Sequence, residues 1–311
     1  MRFPFLDYLT LAKRRAACEA EIEVNRAYAP SIYRGVVVIT QRSDGNLAIG
    51  GAGEPVEWAV EMRRFDETQT LDHLADAGRI DDALADALGR AVAQAHGLAP
   101  VVKAATFIDE LAEIIAQNDS GLRASPDLFP PQAVAELTAA TRAALDRVRT
   151  LLAVRERAGL VQRCNGDLHL GNIALLDGEP LLFDAIEFDP AIATGDVLYD
   201  LAFLLMDLIA RGLTRPANIV LNRHLTQTQR VEDLDALAAL PLFMSLRAAI
   251  RAKVTAARRT RDGVRKMTEQ SARATISRSR ISSCGPPCRH WWRLAGCQEP
   301  ASRCLPARLL G

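Results

Sequence analysis

The sequence predicts an α+β fold built from two parts. In residues 1–66, one helical pattern is followed by three short strand patterns. From residue 67 to residue 258, apolar side chains mostly recur every three or four positions, which is typical of helices that bury one face. Hydrophobic residues make up 49% of the 311-residue chain, enough to form a substantial core. We therefore predict a small part that contains a sheet and a larger part that is mainly helical.

The first part begins with a predicted helix over residues 10–28. Thr10 is a typical N-cap residue, and Pro30 lies where the helix must stop because proline has no N–H to donate. The β-branched run Gly-Val-Val-Val-Ile-Thr then favours a strand, and Ser-Asp-Gly-Asn favours a turn after it. These patterns indicate a small antiparallel sheet after the helix. Its predicted strands are residues 35–40, 47–50 and 56–65.

The second part is predicted to be helical around a short β region. A strand at residues 160–163 runs into a polar loop, and Asp177-Gly178 marks the turn of a hairpin. The helix predicted at residues 196–212 is so apolar that we expect it to be buried. The predicted hairpin strands are residues 173–176 and 181–183, and the predicted helices are residues 80–98, 107–118, 131–157, 196–212, 217–230 and 233–258.

The polar loop carries the clearest functional signal. It reads Cys-Asn-Gly-Asp-Leu-His-Leu-Gly-Asn over residues 164–172, and Asp184 follows the next short strands. Phosphoryl-transfer enzymes of the kinase type use such a set: one carboxylate accepts the proton of the attacking hydroxyl, and an amide oxygen and a second carboxylate hold Mg²⁺ against the nucleotide phosphates. Asp167, Asn172 and Asp184 have the residue types and the order that this chemistry needs.

Together with residues 195–202, Gly-Asp-Val-Leu-Tyr-Asp-Leu-Ala, these residues resemble the aminoglycoside phosphotransferase family of kinase-like enzymes. The resemblance is closer to a bacterial subgroup in which such a domain precedes a P-loop ATP-binding domain. It covers roughly residues 5–258 and implies a protein-kinase-like fold, with an incomplete N-terminal lobe over residues 1–66 and a largely helical C-terminal catalytic lobe over residues 67–258. Supporting stretches are residues 11–19, 25–26, 29–30, 33 and 59–65.

The resemblance also implies a role for each residue of the site. Asp167 becomes the catalytic base, and Asn172 and Asp184 become ligands of Mg²⁺ and part of the ATP-binding site. Asp200 would brace the loop by hydrogen bonding to its backbone. One glutamate of the first helix would pair with a phosphate-binding lysine; Glu21 is favoured over Glu19 and Glu23. The implied activity is transfer of the ATP γ-phosphoryl group to a hydroxyl of a small-molecule acceptor, which the sequence does not identify.

Three departures from the family pattern favour a second hypothesis. Asn165 stands where the family usually has histidine. The glycine-rich strands and the lysine of the family precede the helix that begins near Thr10, and this chain starts too late to contain them. The resemblance also stops near residue 258, before the second domain of the subgroup. The alternative is therefore an inactive remnant, or a non-catalytic binding module, of a two-domain protein truncated at both ends.

Residues 259–311 are predicted to be disordered. They combine many Arg, Ser, Cys and Pro residues with no apolar periodicity. When residues 289–302 are translated back into codons and read in a shifted frame, the codons permit a strand that runs into a phosphate-binding P-loop. The hypothesis is that a frameshift replaced a P-loop domain. Zinc binding by the four cysteines of this tail and nucleic-acid binding by its arginines are less favoured. Those cysteines are Cys284, Cys288, Cys297 and Cys304.

The composition favours a soluble cytoplasmic protein. The 38 basic and 38 acidic residues balance, so the overall charge gives no reason to expect a nucleic-acid or membrane partner. The longest apolar run, residues 197–210, contains two aspartates and is too short to cross a bilayer. No leader pattern is visible. Cys18 and Cys164 are predicted to be ordinary buried thiols, and the oligomeric state is not predicted.

Several site residues keep a structural interpretation beside the functional one. Asp167 and Asn172 could cap the following strand, and Asp184 could be a turn residue, although their order along the chain favours the functional site. His169 is interpreted as a structural residue of the loop rather than a proton shuttle. Glu187 either lines the site or is a solvated loop carboxylate, and the same alternatives hold for Asp189.

Overall fold

The computed structural model describes residues 2–3, 6–103 and 106–262, with side chains over residues 8–103 and 106–256. Helices and strands are mixed in the predicted order, which confirms the α+β class. The hypothesis of a frameshifted, disordered tail concerns residues 259–311, of which residues 263–311 lie outside the described residues. Residues 259–262 continue the last helix rather than starting the tail.

The first part has the predicted helix and sheet. Two short strands, β1 (Arg2–Phe3) and β2 (Leu6–Asp7), pair before helix α1 (Leu11–Asn25). The Thr10 hydroxyl accepts a hydrogen bond from the Lys13 N–H, which confirms the predicted N-cap. Strands β3 (Tyr33–Gln41), β4 (Leu47–Ile49) and β5 (Glu54–Met62) form an antiparallel sheet in the order β4-β3-β5. Helix α1 packs on β3 and β5.

The second part contains the predicted helices around the loop and the hairpin. Helix α7 is buried along almost its whole length, as its apolar sequence predicted. Strands β7 and β8 form the predicted antiparallel hairpin, and β6 pairs with β9. The elements in order are α2 (Leu71–Asp76), α3 (Asp82–Leu98), α4 (Phe107–Arg123), α5 (Pro131–Arg157), β6 (Val161–Arg163), β7 (Ile173–Leu176), β8 (Glu179–Leu182), α6 (Pro190–Ala193), β9 (Thr194–Asp196), α7 (Val197–Ala210), α8 (Thr214–Thr228), α9 (Val231–Asp235) and α10 (Leu240–Asp262).

The prediction of one helix over residues 233–258 was wrong. The structure has the short helix α9 and the long helix α10, joined by a tight turn at residues 236–239. Pro241 is the second residue of α10. Because proline cannot donate to a preceding turn, it belongs in the first turn of a helix, where no donor is needed. Helices α2 and α6 and strand β9 were not predicted, since each is too short to show a period.

A buried ion-paired cluster joins three elements of the second part. Arg155, near the end of α5, donates from Nε and Nη2 to the Asp196 carboxylate at 2.5 and 2.8 Å. Its Nη1 lies 3.0 Å from Asp233 Oδ1 and donates to the Glu232 carbonyl at 2.7 Å. The arginine and both aspartates are at most 1% exposed. The cluster therefore ties the end of α5 to α9 and to the start of α7.

None of the helices in the described ranges combines the length and the apolar character that crossing a bilayer requires.

Candidate functional site

The loop at residues 164–172, here called the catalytic loop after the role that the sequence predicts for it, connects β6 to β7 and depends on a glycine. Gly166 has φ of +82°, a conformation that side chains rarely adopt, and a Cβ there would lie 3.0 Å from the Ala193 Cα. Its N–H donates to Asp200 Oδ1 at 2.9 Å, which confirms the predicted brace by Asp200. Its carbonyl accepts a hydrogen bond from Arg247 Nη1 at 3.0 Å. Both polar groups of this residue are therefore held by buried charged side chains.

Asp167 and Asn172 lie in direct contact. Asn172 Nδ2 donates to Asp167 Oδ2 at 3.2 Å and to the Asp167 carbonyl at 3.1 Å. His169 Nδ1 accepts the Gly171 N–H at 3.0 Å, so a neutral His169 carries its proton on Nε2, which lies 3.5 Å from Asp167 Oδ2. This geometry suits His169 to orienting the loop and its carboxylate, the structural role favoured from the sequence.

The environment of Asp167 favours its ionised form. Burial raises the pKa of the Asp167 carboxyl, but the hydrogen bond and charge of His169, the charge of Arg247 and the hydrogen bond from Asn172 together hold it below its ordinary value. An ionised carboxylate at this position is able to accept a proton.

Asp184 has the opposite environment. It follows β8 at φ of +56°, and its N–H donates to the Tyr33 hydroxyl at 3.2 Å. Its side chain reaches solvent, yet the surrounding groups displace enough water to raise the pKa of the carboxyl, and the Asp167 charge raises it further, while His169 partly offsets both. The two aspartates are thus close enough to repel each other, and a bound cation would relieve that repulsion.

Glu21 is the glutamate of α1 that faces this pair. Burial, followed by the charges of Glu187 and Asp184, raises the pKa of Glu21 to about 7. Glu19 instead accepts a hydrogen bond from Arg15 at 2.8 Å on the exposed side of the helix, and Glu23 is exposed. The charge of Asp184 thus acts on Glu21, the candidate that the sequence favours.

Glu187 and Asp189, whose roles the sequence left open, have different environments in the structure. Burial and the charge of Asp184 raise the pKa of Glu187, which places it at the edge of the site. Asp189 Oδ1 accepts the Ala191 N–H at 3.0 Å and so caps helix α6. The structure therefore favours the site for Glu187 and a structural role for Asp189.

Asn25 connects α1 to the residue after Asp184. Its Nδ2 donates to the Ala185 carbonyl at 3.1 Å, and its Oδ1 accepts the Ala185 N–H at 2.7 Å. Asn25 is fully buried. This pair of hydrogen bonds fixes the helix that carries Glu21 relative to Asp184, and sequence reasoning gave Asn25 no such role.

Sequence reasoning also missed two charged residues under the catalytic loop. Asp207 lies seven residues after Asp200 in α7, about two helical turns further along. It accepts the Leu170 N–H at 3.1 Å and is 1% exposed. Arg247 of α10 holds the Gly166 carbonyl. For Asp207 a signal was present, because a second carboxylate seven residues after the first in an apolar helix must find a partner.

His96, Cys164 and Asp200 could in principle hold a metal, since one ligand atom of each lies within 4.8 Å of the others and all three are buried. Each already has a partner in the protein, however. His96 Nε2 lies 3.2 Å from Asp200 Oδ2 and its Nδ1 lies 3.0 Å from His224 Nε2, while the Cys164 thiol faces the Gly195 carbonyl at 3.8 Å. Burial raises the pKa of Cys164, which favours the thiol. We interpret this cluster as support for the loop.

No protein-family model matches the chain. Among curated proteins it is 28% identical over 258 residues to uncharacterised proteins of Mycobacterium tuberculosis strain H37Rv and of Mycobacterium bovis. The match covers 82% of this chain and 49% of each relative, so the chain spans about half the length of the curated relatives it matches.

Among solved structures, the chain is similar to glucosamine kinase. For the complex of that enzyme with glucosamine, ADP and inorganic phosphate, the TM-score is 0.45 at 16% identity, with 87% of this chain and 72% of the other covered. For a second crystal form the TM-score is 0.46 at 17% identity, with 86% and 68% covered.

Proposed function

We propose that this chain carries the catalytic residues of a phosphotransferase that moves the γ-phosphoryl group of ATP to a hydroxyl of a small molecule. The observation that carries the proposal is the direct contact of Asp167 with Asn172, beside an Asp184 carboxyl whose pKa is raised by burial and by the charge of Asp167. The resemblance to the aminoglycoside phosphotransferases supports the same roles. An aminoglycoside acceptor does not follow from it.

In this reaction Asp167 accepts the proton of the acceptor hydroxyl while the oxygen of that hydroxyl forms a bond to the γ-phosphorus. The bond from that phosphorus to the bridging oxygen of ADP breaks, and ADP leaves with the electron pair. The contacts of Asp167 with His169 and Asn172 hold the carboxylate in place for the proton.

The carboxylates fit a divalent cation, because Asp184, Glu187 and Glu21 all have raised pKa values beside one another. Asn172 and Asp184 would hold Mg²⁺. When bound, that ion neutralises charge on the β- and γ-phosphates. Glu21 approaches Asp184 and Glu187 from α1 and would belong to the nucleotide-binding part of the site.

The proposal is tested first by binding. Calorimetric titration with Mg·ATP should show binding to the wild type and none to Asp184→Asn, because the amide removes the charge of one metal ligand. Asp146→Asn is the matched control: Asp146 is an exposed aspartate of α5 that pairs with Arg149, so binding should be unchanged. Failure of the wild type to bind millimolar Mg·ATP would contradict the proposal.

Turnover is tested next with γ-labelled ATP and a panel of hydroxyl-bearing small molecules. Asp167→Asn should keep Mg·ATP binding and lose about 10²–10⁴-fold in kcat, the usual contribution of a general base. Equal turnover in the variant and the wild type would remove Asp167 from the role of base.

A non-catalytic binding module is the second candidate. The observation that favours it is the pKa of Glu21, which partial burial and the charges of Glu187 and Asp184 raise and which no positive charge among the described residues offsets. This candidate predicts binding of Mg·ATP with no phosphoryl transfer to any acceptor and no hydrolysis. The binding and turnover assays therefore separate the two candidates.

A further inference from the structure

Arg247 is an arginine buried beneath the catalytic loop. It is 5% exposed, which is unusual for an arginine unless its charge has partners. Its Nη1 donates to the Gly166 carbonyl at 3.0 Å and its Nε to the Tyr199 carbonyl at 3.3 Å. The guanidinium carbon lies 4.0 Å from the centre of the Tyr199 ring and 5.1 Å from that of Phe203, and Nη2 lies 3.9 Å from Asp200 Oδ1. Every face of the guanidinium is therefore occupied.

The position of Gly166 makes these contacts relevant to the site. Gly166 immediately precedes Asp167, and its peptide groups are held from two helices. Asp200 of α7 accepts the N–H, and Arg247 of α10 donates to the carbonyl. That carbonyl belongs to the peptide bond whose nitrogen is the amide of Asp167. Holding this carbonyl therefore fixes the plane of the Gly166–Asp167 peptide bond, and with it the position from which the Asp167 side chain projects.

The charged groups around Asp167 come from four elements. His169 lies in the same loop, Asp184 follows β8, Asp200 belongs to α7 and Arg247 to α10. The two aspartates are negative, and histidine is charged only when it is protonated. Arg247 is the arginine of this group, and its guanidinium is the buried positive charge beside the loop.

We propose that Arg247 is a positioning residue for Asp167: its guanidinium, buried beneath the catalytic loop, orients the peptide that precedes the base. This inference rests on the proposed function for the role of Asp167 as base. The placement of Arg247 against the loop is independent of that function.

The test follows the backbone amide of Asp167 in the intact chain. Protein labelled with ¹⁵N is examined by NMR, and the Asp167 amide signal is identified by its displacement in Asp167→Asn. Arg247→Met removes the donor to the Gly166 carbonyl, so the Asp167 amide signal should move and its hydrogen exchange should accelerate. Arg247→Lys can still donate to that carbonyl and should restore most of the wild-type signal position. Arg215→Gln, which removes an exposed arginine of α8, should leave the signal in place.

Turnover gives the second readout. Arg247→Met should lower kcat about tenfold with the Mg·ATP affinity little changed, because the base loses its orientation while the nucleotide-binding residues are kept. Arg247→Lys should recover most of kcat. An unchanged Asp167 amide signal and an unchanged kcat in a folded Arg247→Met protein, shown by an unaltered circular dichroism spectrum, would overturn the inference.

The two failures are distinguishable. If the wild type shows no turnover but the Asp167 amide signal moves as expected in Arg247→Met, the proposed function fails and the placement of Arg247 stands. If turnover is present and neither the amide signal nor kcat changes, the role of Arg247 fails and the function stands. If Arg247→Met does not fold, Arg247→Gln still decides, because its shorter side chain has a single amide donor: an unchanged amide signal and an unchanged kcat in that variant would contradict the positioning role.

Discussion

Gly166 shows at the scale of one residue how the backbone conformation sets the site. Its φ of +82° strains any other residue, and a Cβ would meet the Ala193 Cα at 3.0 Å. Gly166→Ala should therefore lower the free energy of unfolding by about 2–3 kcal/mol, the sum of conformational strain and a contact with backbone that cannot move aside. Urea unfolding measures the loss.

Gly178 supplies the matched control for that change. It has φ of +87° in the β7–β8 turn, and a Cβ there would meet nothing within 4 Å. Gly178→Ala should therefore cost only the strain, about 1 kcal/mol. Equal losses in the two variants would show that Ala193 does not restrict Gly166.

Glu21 makes the stability of the protein depend on pH. Its pKa is about 7 in the folded chain against an ordinary value of 4.5, so the folded state holds this proton more tightly than the unfolded state. Glu21 therefore disfavours folding as the pH rises from about 4.5 to about 7, and the full penalty remains above that range.

Glu21→Gln should remove this penalty. We expect it to stabilise the protein by about 1 kcal/mol at about pH 8 and by much less at about pH 5, because partial exposure of the side chain screens the effect. Thermal unfolding at both values measures it. Glu23→Gln, an exposed carboxyl two residues further along α1, should show no such difference between the two pH values. A similar gain at both values for Glu21→Gln would contradict the raised pKa.

The site residues that sequence reasoning found are those with local patterns. Asp167 and Asn172 are five residues apart in one loop, and this spacing of these residue types predicts phosphoryl-transfer chemistry from the sequence alone. Arg247 lies 81 residues after the Gly166 carbonyl that it holds, inside a helix whose period gives it no distinction. Nothing in the local sequence separates a buried arginine with a backbone partner from a solvated one, so only the tertiary contact reveals it.

At the scale of elements, the buried guanidinium of Arg155 holds α5, the start of α7 and α9 together. Arg155 donates to the Asp196 carboxylate and to the Glu232 carbonyl and faces Asp233, and the arginine and both aspartates are buried. Arg155→Leu should lower the free energy of unfolding by about 3–5 kcal/mol, because it leaves buried carboxylates without a counter-charge. Chemical denaturation followed by circular dichroism measures this loss.

The same substitution two residues later is the control. Arg157 is exposed in the last turn of α5, so Arg157→Leu should change stability by about 0.5 kcal/mol or less. The buried cluster was not predictable from sequence, because Arg155 and Arg157 look alike in a helix rich in arginine. If both variants lost equal stability, helix propensity rather than the buried cluster would be the cause.

At the scale of the whole molecule, the two parts meet at the site. Apolar contacts such as that of Phe65 with Phe183, whose ring centroids are 5.4 Å apart, place the sheet on the β7–β8 hairpin. Asn25 adds the polar connection to Ala185. The helices and strands were largely predictable from the periodicity of their apolar residues. The contact between the two parts was not, because its polar component joins two residues 160 positions apart through one asparagine.

Asn25→Asp tests that joint. Aspartate accepts the Ala185 N–H as asparagine does, but it cannot donate to the Ala185 carbonyl, and it places a negative charge at a fully buried position. We expect a loss of about 3 kcal/mol or more in the free energy of unfolding. Mg·ATP affinity should also fall, because Asp184 immediately precedes Ala185 and would lose its fixed distance to Glu21.

Asn218→Asp makes the same chemical change at an exposed position near the start of α8, where a negative charge is tolerated. Urea unfolding and calorimetric titration with Mg·ATP should both give wild-type values for this variant. A stable Asn25→Asp protein with normal affinity would show that the apolar contacts between the sheet and the hairpin suffice to hold Glu21 opposite Asp184. Loss of affinity with normal stability would instead assign Asn25 to the alignment of the site alone, since the fold would then persist without its polar joint.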